Sequence, residues 1–267
     1  MKQLSLREIK DIEFELLMTF NSFCKENNIK YFLSNGTLLG AVKYRGFIPW
    51  DDDIDVLVPR EYYNKLLFLF KDNERYKLFA FEKNQEYSFP FAKLCDMTTR
   101  KEEANINNGV VLGVDIDIFP LDSWDSDRDK AKCEVKHIRK KIFYLGLTKL
   151  YKPDSLNLIK KLIKGIVMVL CKMLGSKCFI RDIIKASNKV EQIDSSYLGC
   201  KSWCIYGECD IIPAEVFSDT IEIEFEGEKF PAPIGYDAYL RSLYGEYEKD
   251  PPIEKQKSHH KYTAYLL

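Results

Sequence analysis

An α/β (α+β) fold, a mixed sheet with flanking helices and a helical C-terminal part, is predicted by three observations. Two apolar runs carry aspartates: IDVLV from Ile54, which follows Asp51, Asp52 and Asp53, and VVLGVDIDI from Val110 to Ile118. Around them, stretches of helical spacing alternate with short β-branched or aromatic stretches. Past about residue 125 the pattern turns mainly helical and lysine-rich. The expected division is therefore a catalytic core over 1–125 and a mostly helical part over 126–267 that completes the substrate site and offers a candidate membrane contact.

The first element is a helix from Leu6 to Cys24, because Leu6, Ile9, Leu16, Leu17, Phe20 and Phe23 fall on one face. Tyr31 to Ser34 reads as a short strand and Asn35-Gly36 as a turn, with Thr37 capping a short helix through Val42. The strand that begins at the acids follows, then a helix from Glu61 to Phe70 and strands near Tyr76–Phe81 and Phe89–Leu94. The second acidic strand should end at Phe119-Pro120, and Asp122 to Asp129 should be an exposed loop entering a long helix to about Leu150. Two lysine-rich helical stretches come after Pro153. IEIEFEGEKFPAPI predicts a hairpin turning at Gly227, and Tyr236 to Tyr247 a last helix.

A chain of 267 residues with 40 basic and 41 acidic side chains, net charge −1, has no electrostatic footprint for a nucleic-acid backbone. Its eight cysteines lack the dense spacing of a disulfide scaffold, and Cys200, Cys204 and Cys209 lack the paired spacing of a zinc site. The opening MKQLSLREIKDIEFEL is charged and no apolar export segment follows it, so free thiols in a reducing cytoplasm are expected. LNLIKKLIKGIVMVLCKML, 156–174, is apolar but interrupted by Lys160, Lys161, Lys164 and Lys172. Those lysines share one sector of about 120° at 100° per residue, which suits a helix lying in a membrane interface or a core helix with snorkelling lysines.

The chemistry is concentrated between Tyr31 and Arg60. Strand alternation puts Asp53 and Asp55 on one face, and Asp115 and Asp117 on one face of the second run. Like charges about 4 Å apart repel by roughly 4 kcal/mol at an effective dielectric near 20, so such a pair needs a proton or a cation, and a hard divalent ion is the natural one. Asp53, Asp55 and Asp117 are the candidate metal triad; the alternative is solvated edge positions, against which the apolar context argues. Gly36 and Thr37 are candidate phosphate contacts, since a glycine lets backbone N–H groups approach an anion, although such a turn is more often only a turn. Lys93 and Arg45 are candidate phosphate clamps. Trp50, after Pro49, is either a packing anchor or a ligand wall. His259 and His260 sit in a polar tail and receive no site role.

NGTLLGAVKYRGFIPWDDDIDV, from Asn35 to Val56, resembles the signature of the LicD family, whose members transfer phosphocholine to cell-surface glycans and whose relatives include fukutin. Lys93 within FAKL, DIFPLD from Asp117, and FPAPIGYDAYLRSLYGEYEKDPP from Phe230 followed by His259-His260 extend the resemblance, with about 131–210 matching least. It implies a nucleotidyltransferase-like fold in which Gly36, Thr37, Asp53, Asp55 and Asp117 take the family's places. It also implies one or two Mg²⁺ ions, CDP-choline as donor, and a teichoic-acid-type glycan precursor, lipid-linked, as acceptor. Aromatic faces are expected to hold the choline, and residence is expected in the cytoplasm, peripheral at the inner membrane face. Two positions depart: Asn35 stands where a glycine is usual, a left-handed position Asn tolerates, and Lys43-Tyr44-Arg45 replaces an Arg-His-Lys run. The rivals are a nucleotidyltransferase using a nucleoside triphosphate and a non-catalytic protein that binds choline-bearing ligands at a membrane surface.

Overall fold

The computed structural model describes residues 1–153, 157–188, 195–258 and 262–267. His259, His260 and Leu156 lie outside the described residues. After the strand β1 (Lys2–Gln3), Ser5 caps helix α1 (Leu6–Glu26) in a capping box with Glu8, and Leu16, Leu17, Phe20 and Cys24 turn to the core. Then come β2 (Phe32–Leu33), α2 (Asn35–Tyr44), β3 (Asp55–Pro59), α3 (Arg60–Leu69), β4 (Tyr76–Phe79), β5 (Ala92–Glu103) and β6 (Leu112–Ser123). The three helices α4 (Arg128–Lys149), α5 (Leu158–Leu174) and α6 (Ser176–Ser187) follow. The chain closes with β7 (Tyr197–Gly199), β8 (Ile212–Pro213), the hairpin β9 (Thr220–Phe225) and β10 (Glu228–Pro233), α7 (Tyr236–Tyr244) and β11 (Tyr262–Leu266). The hairpin turn is Glu226-Gly227, with φ of 51° and 83°, the two positive angles a right-twisted hairpin prefers.

The main sheet runs β1-β11-β5-β6-β3-β2, with β4 against β5 and β7 against β6. β3 and β6 are parallel, Asp55 beside Asp117, and the other named strand pairs are antiparallel. Contrary to the expected stop at Phe119-Pro120, β6 continues to Ser123. The Asp117 N–H donates to the Ile54 carbonyl at 2.8 Å, so by alternation the Pro120 nitrogen points away from β3. On that other side, pairing with β5 has ended at Ile118 and pairing with β7 begins at Asp122, so the missing N–H breaks no ladder. Asp122 is accordingly not in an exposed loop: it is buried and accepts two bonds from Arg60, at 2.7 and 2.9 Å.

Packing also divides the chain differently from a cut at residue 125. Ile212, Phe217, Phe225, Leu240 and Tyr247 share one core with Leu16, Val56, Leu94 and Ile118. A second cluster, with Ile138, Leu145, Ile180 and Ile183 around the buried Trp124, belongs to α4–α6. The helical part is thus an insertion, after which the chain returns to the sheet and ends in it, β11 lying between β1 and β5.

Candidate active site

Three local devices bring the acids together. Parallel register sets Asp55 beside Asp117 on neighbouring strands. The Ser34 N–H donates to the Asp55 carbonyl at 3.1 Å, and the Thr37 hydroxyl accepts the Asp55 N–H at 2.8 Å, so the start of α2 grips both backbone groups of Asp55. Asn35 takes the left-handed conformation, φ 44°, and its Oδ1 accepts the Tyr239 hydroxyl at 2.9 Å. A cavity of about 630 Å³ opens there, lined by Asp51, Asp53, Asp55 and Asp117. Gly36 lines it too, and a Cβ on it would stand 2.8 Å from Asp51 Oδ2.

The electrostatics follow from crowding. Burial pushes the Asp55 carboxyl well above the usual carboxylate range, and the charges of Asp53, Asp117 and Asp51 push it further, while the Asn35 amide works against them. Burial also raises Asp117, with Lys93 opposing. Burial alone would raise Asp115, but Lys101 and Lys93 together hold it below its ordinary value. Lys93 donates to Asp115 at 2.9 Å and to Asp117, and these partners hold its ammonium well above the ordinary lysine range despite its burial. Asp115 is thereby neutralised within the sheet, whereas Asp53, Asp55 and Asp117 face the cavity.

Such an excess of carboxylate, with oxygen donors on the cavity side, fits a hard divalent cation by donor chemistry. Among the described residues no group of three or more His, Cys, Asp or Glu side chains is arranged to hold a metal ion. Asp53, Asp55 and Asp117 are the cavity-lining acids that could hold such an ion once their side chains turn toward it.

The other expected contacts divide. Trp50 lines the cavity, its ring 6.3 Å from and nearly perpendicular to that of Tyr44, another lining residue. Thr37 is 3% exposed and spends its hydroxyl on Asp55, so it positions an acid and does not line the cavity. It does not cap α2 either, since the helix already begins at Asn35. Lys93 is likewise outside the lining, an internal counter-charge behind Asp117. Arg45 ends α2 in the left-handed conformation, φ 54°, its carbonyl taking the Glu226 N–H at 2.8 Å and its side chain exposed away from the lining. Helix termination accounts for its backbone conformation.

A model of the LicD/FKTN/FKRP nucleotidyltransferase domain matches residues 28–145, the stretch holding α2, β3, β5 and β6 with all the acids just described. Over 278 aligned positions the chain is 31% identical to the lipopolysaccharide cholinephosphotransferase LicD of Haemophilus influenzae, covering 100% of both proteins. The chain belongs to the LicD family. Two uncharacterised proteins, of Rickettsia prowazekii and Rickettsia typhi, are each 44% identical over 48 residues, 18% of this chain.

In this LicD family member the returning C-terminal part supplies further residues to the cavity lining. Trp203, Tyr206, Tyr244 and Tyr247 supply aromatic faces. Tyr206 and Tyr244 meet edge to face at 5.5 Å with hydroxyls 2.9 Å apart. Lys43, Lys249 and Lys255 supply the lining cations in place of Lys93 and Arg45, Lys43 pairing with Asp250 at 2.5 Å. The segment FPAPIGYDAYLRSLYGEYEKDPP carried the signal, since Tyr244, Glu246, Tyr247, Lys249 and Pro251 all come from it.

Proposed function

We propose that this protein moves phosphocholine from CDP-choline to a hydroxyl of a cell-surface glycan precursor, releasing CMP. The observation that carries the reading is one cavity lined both by a cluster of aspartates, Asp51, Asp53, Asp55 and Asp117, and by the rings of Trp50, Trp203, Tyr206, Tyr244 and Tyr247. A diphosphate needs the cation that the aspartates would hold and a quaternary ammonium needs the ring faces. Mg²⁺, one ion or two, held by Asp53, Asp55 and Asp117, would neutralise the diphosphate and the charge growing on the departing CMP. Around it, the chain's own residues do the positioning. Thr37 and Ser34 fix Asp55, Lys93 fixes Asp117, and Lys43, Lys249 and Lys255 supply positive charge along the same cavity. In-line displacement at the phosphorus next to choline requires the acceptor oxygen opposite the bridging oxygen. Asp117, held in one orientation by Lys93, is the candidate to take the hydroxyl proton.

The acceptor is proposed to be a lipid-linked glycan precursor of the teichoic-acid type, with the lipopolysaccharide glycan named for the H. influenzae relative as the other acceptor to assay. Helix α5 supports a cytoplasmic protein seated on the inner membrane face. Ile159, Leu162, Ile166, Leu170, Met173 and Leu174 are each more than half exposed, whereas Met168 and Cys171 on the same helix are buried against α4 and α6, so α5 packs on one side and leaves an apolar face outward. Its charged residues are Lys160, Lys161, Lys164 and Lys172, without an acid, and no described helix is long and apolar enough to cross a membrane. The proposal is tested by acceptor-dependent release of CMP from CDP-choline with Mg²⁺. Release of CMP only with a glycan present supports it. Turnover of CTP or ATP, with pyrophosphate released, would instead favour the nucleotidyltransferase rival.

A further inference from the structure

The cavity contains an acid that the reaction as drawn does not use. Asp210 ends the helical turn Gly207–Asp210 and lines the cavity beside Cys200, Trp203 and Tyr206. It is 5% exposed. Backbone N–H groups of Tyr206 and Gly207 hold its carboxylate in place, yet Oδ2 has no hydrogen-bond partner among the described residues. Arg139 attracts it from a distance without an ion pair among those residues. A buried acceptor left without a donor is costly, so an orphaned oxygen on a residue that lines a cavity points to a ligand that would complete the site.

What surrounds it narrows the ligand. Tyr206 lines the same cavity as Asp53, Asp55 and Asp210. Tyr244 packs edge-on against Tyr206, and Trp203 is braced from behind by Phe91 at 5.2 Å. Aromatic rings and a carboxylate lining one cavity with the diphosphate acids suit a compact organic cation carried on a short arm from phosphorus. Burial pushes the Asp210 carboxyl up to about 8, with the Arg139 charge and the backbone of Tyr206 and Gly207 opposing.

We propose that Asp210, with the rings of Tyr206, Tyr244 and Trp203, forms the subsite that receives the quaternary ammonium of the donor. The identity of the cation as choline rests on the phosphocholine reading, whereas the requirement for a cation rests on the orphaned carboxylate. Asp210 is thus a specificity residue: it separates choline from a neutral group of the same shape.

The experiment is calorimetric titration of the whole protein with choline, with tetramethylammonium, and with 3,3-dimethylbutan-1-ol, the uncharged carbon isostere of choline. Wild-type protein is expected to bind choline at least tenfold more tightly than the isostere. Asp210→Asn keeps shape and the acceptor for the backbone N–H groups, and should weaken choline and tetramethylammonium about tenfold while leaving the isostere unchanged. Tyr206→Leu should erode the same preference and Tyr206→Phe should keep it, which supplies the answer if the Asn variant does not fold. Equal binding of choline and isostere by wild type, or an Asn variant that loses both in parallel, would overturn the subsite. The donor reading falls separately: wild type that prefers choline yet never turns over CDP-choline keeps the subsite and sinks the transferase.

Discussion

Thr37 separates two accounts of the turn that opens α2. As a phosphate contact it would act on the donor; in the structure it accepts the buried N–H of Asp55 at 2.8 Å and is itself 3% exposed. Thr37→Val keeps the volume and removes the acceptor, so the Asp55 N–H is left without a partner. That costs about 1–3 kcal/mol. At about 2–4 °C per kcal/mol for a chain of this size, the melting temperature should fall by roughly 2–12 °C. Because Asp55 loses one of its two backbone anchors, kcat should fall by at least about tenfold with little change in KM for the donor. Thr37→Ser restores a hydroxyl at the same place and should recover both. The assays are thermal denaturation and steady-state CMP release on the three proteins. A Val variant with wild-type stability and an increased KM alone would refute the positioning role and return Thr37 to the donor.

Asp53→Asn and Asp55→Asn should each abolish transfer while the protein stays folded, since each keeps volume and removes a charge that the cation requires; near wild-type turnover in Mg²⁺ by either would undo the triad. Lys149 is buried, with its ammonium over the Phe89 ring, and burial pulls its pKa down to about 7. A base depressed on folding gives stability that is present above its unfolded pKa and lost as pH falls through the folded one. Lys149→Met should therefore be more stable than wild type at pH 7 by at least about 1 kcal/mol, the gap closing by about pH 10; denaturant titration at both pH values checks the sign. Flotation with anionic liposomes should carry the protein through α5, and Lys→Glu changes at Lys160, Lys161 and Lys172 should abolish it; flotation unaffected by those changes would remove α5 from the interface.

The residues that were legible in the sequence act through local pattern. Alternation along IDVLV and VVLGVDIDI located the acids, periodicity located α1, and the Glu226-Gly227 turn located the hairpin, since each needs only neighbours in sequence. What escaped depends on contacts across the chain. Pro120 reads locally as a strand terminator, and only the gap between β5 and β7 shows why it is tolerated. Lys93 and Arg45 read as cations available to phosphate, but Asp115 and Asp117 claim the first and helix termination places the second. Lys249 and Lys255 stand in no pattern that marks them, and only the C-terminal return brings them to the cavity beside Tyr244 and Tyr247. Asp210 sits in a stretch without periodicity, and its orphaned oxygen is a property of burial that no spacing encodes.

The central claim is that the acids and the aromatic wall act on one donor, with attack at the phosphorus that bears choline. Mass spectrometry of the glycan after incubation with CDP-choline and Mg²⁺ tests it most directly. The account predicts a phosphocholine adduct on the glycan and free CMP in solution; a cytidine monophosphate adduct on the glycan with free phosphocholine would contradict it.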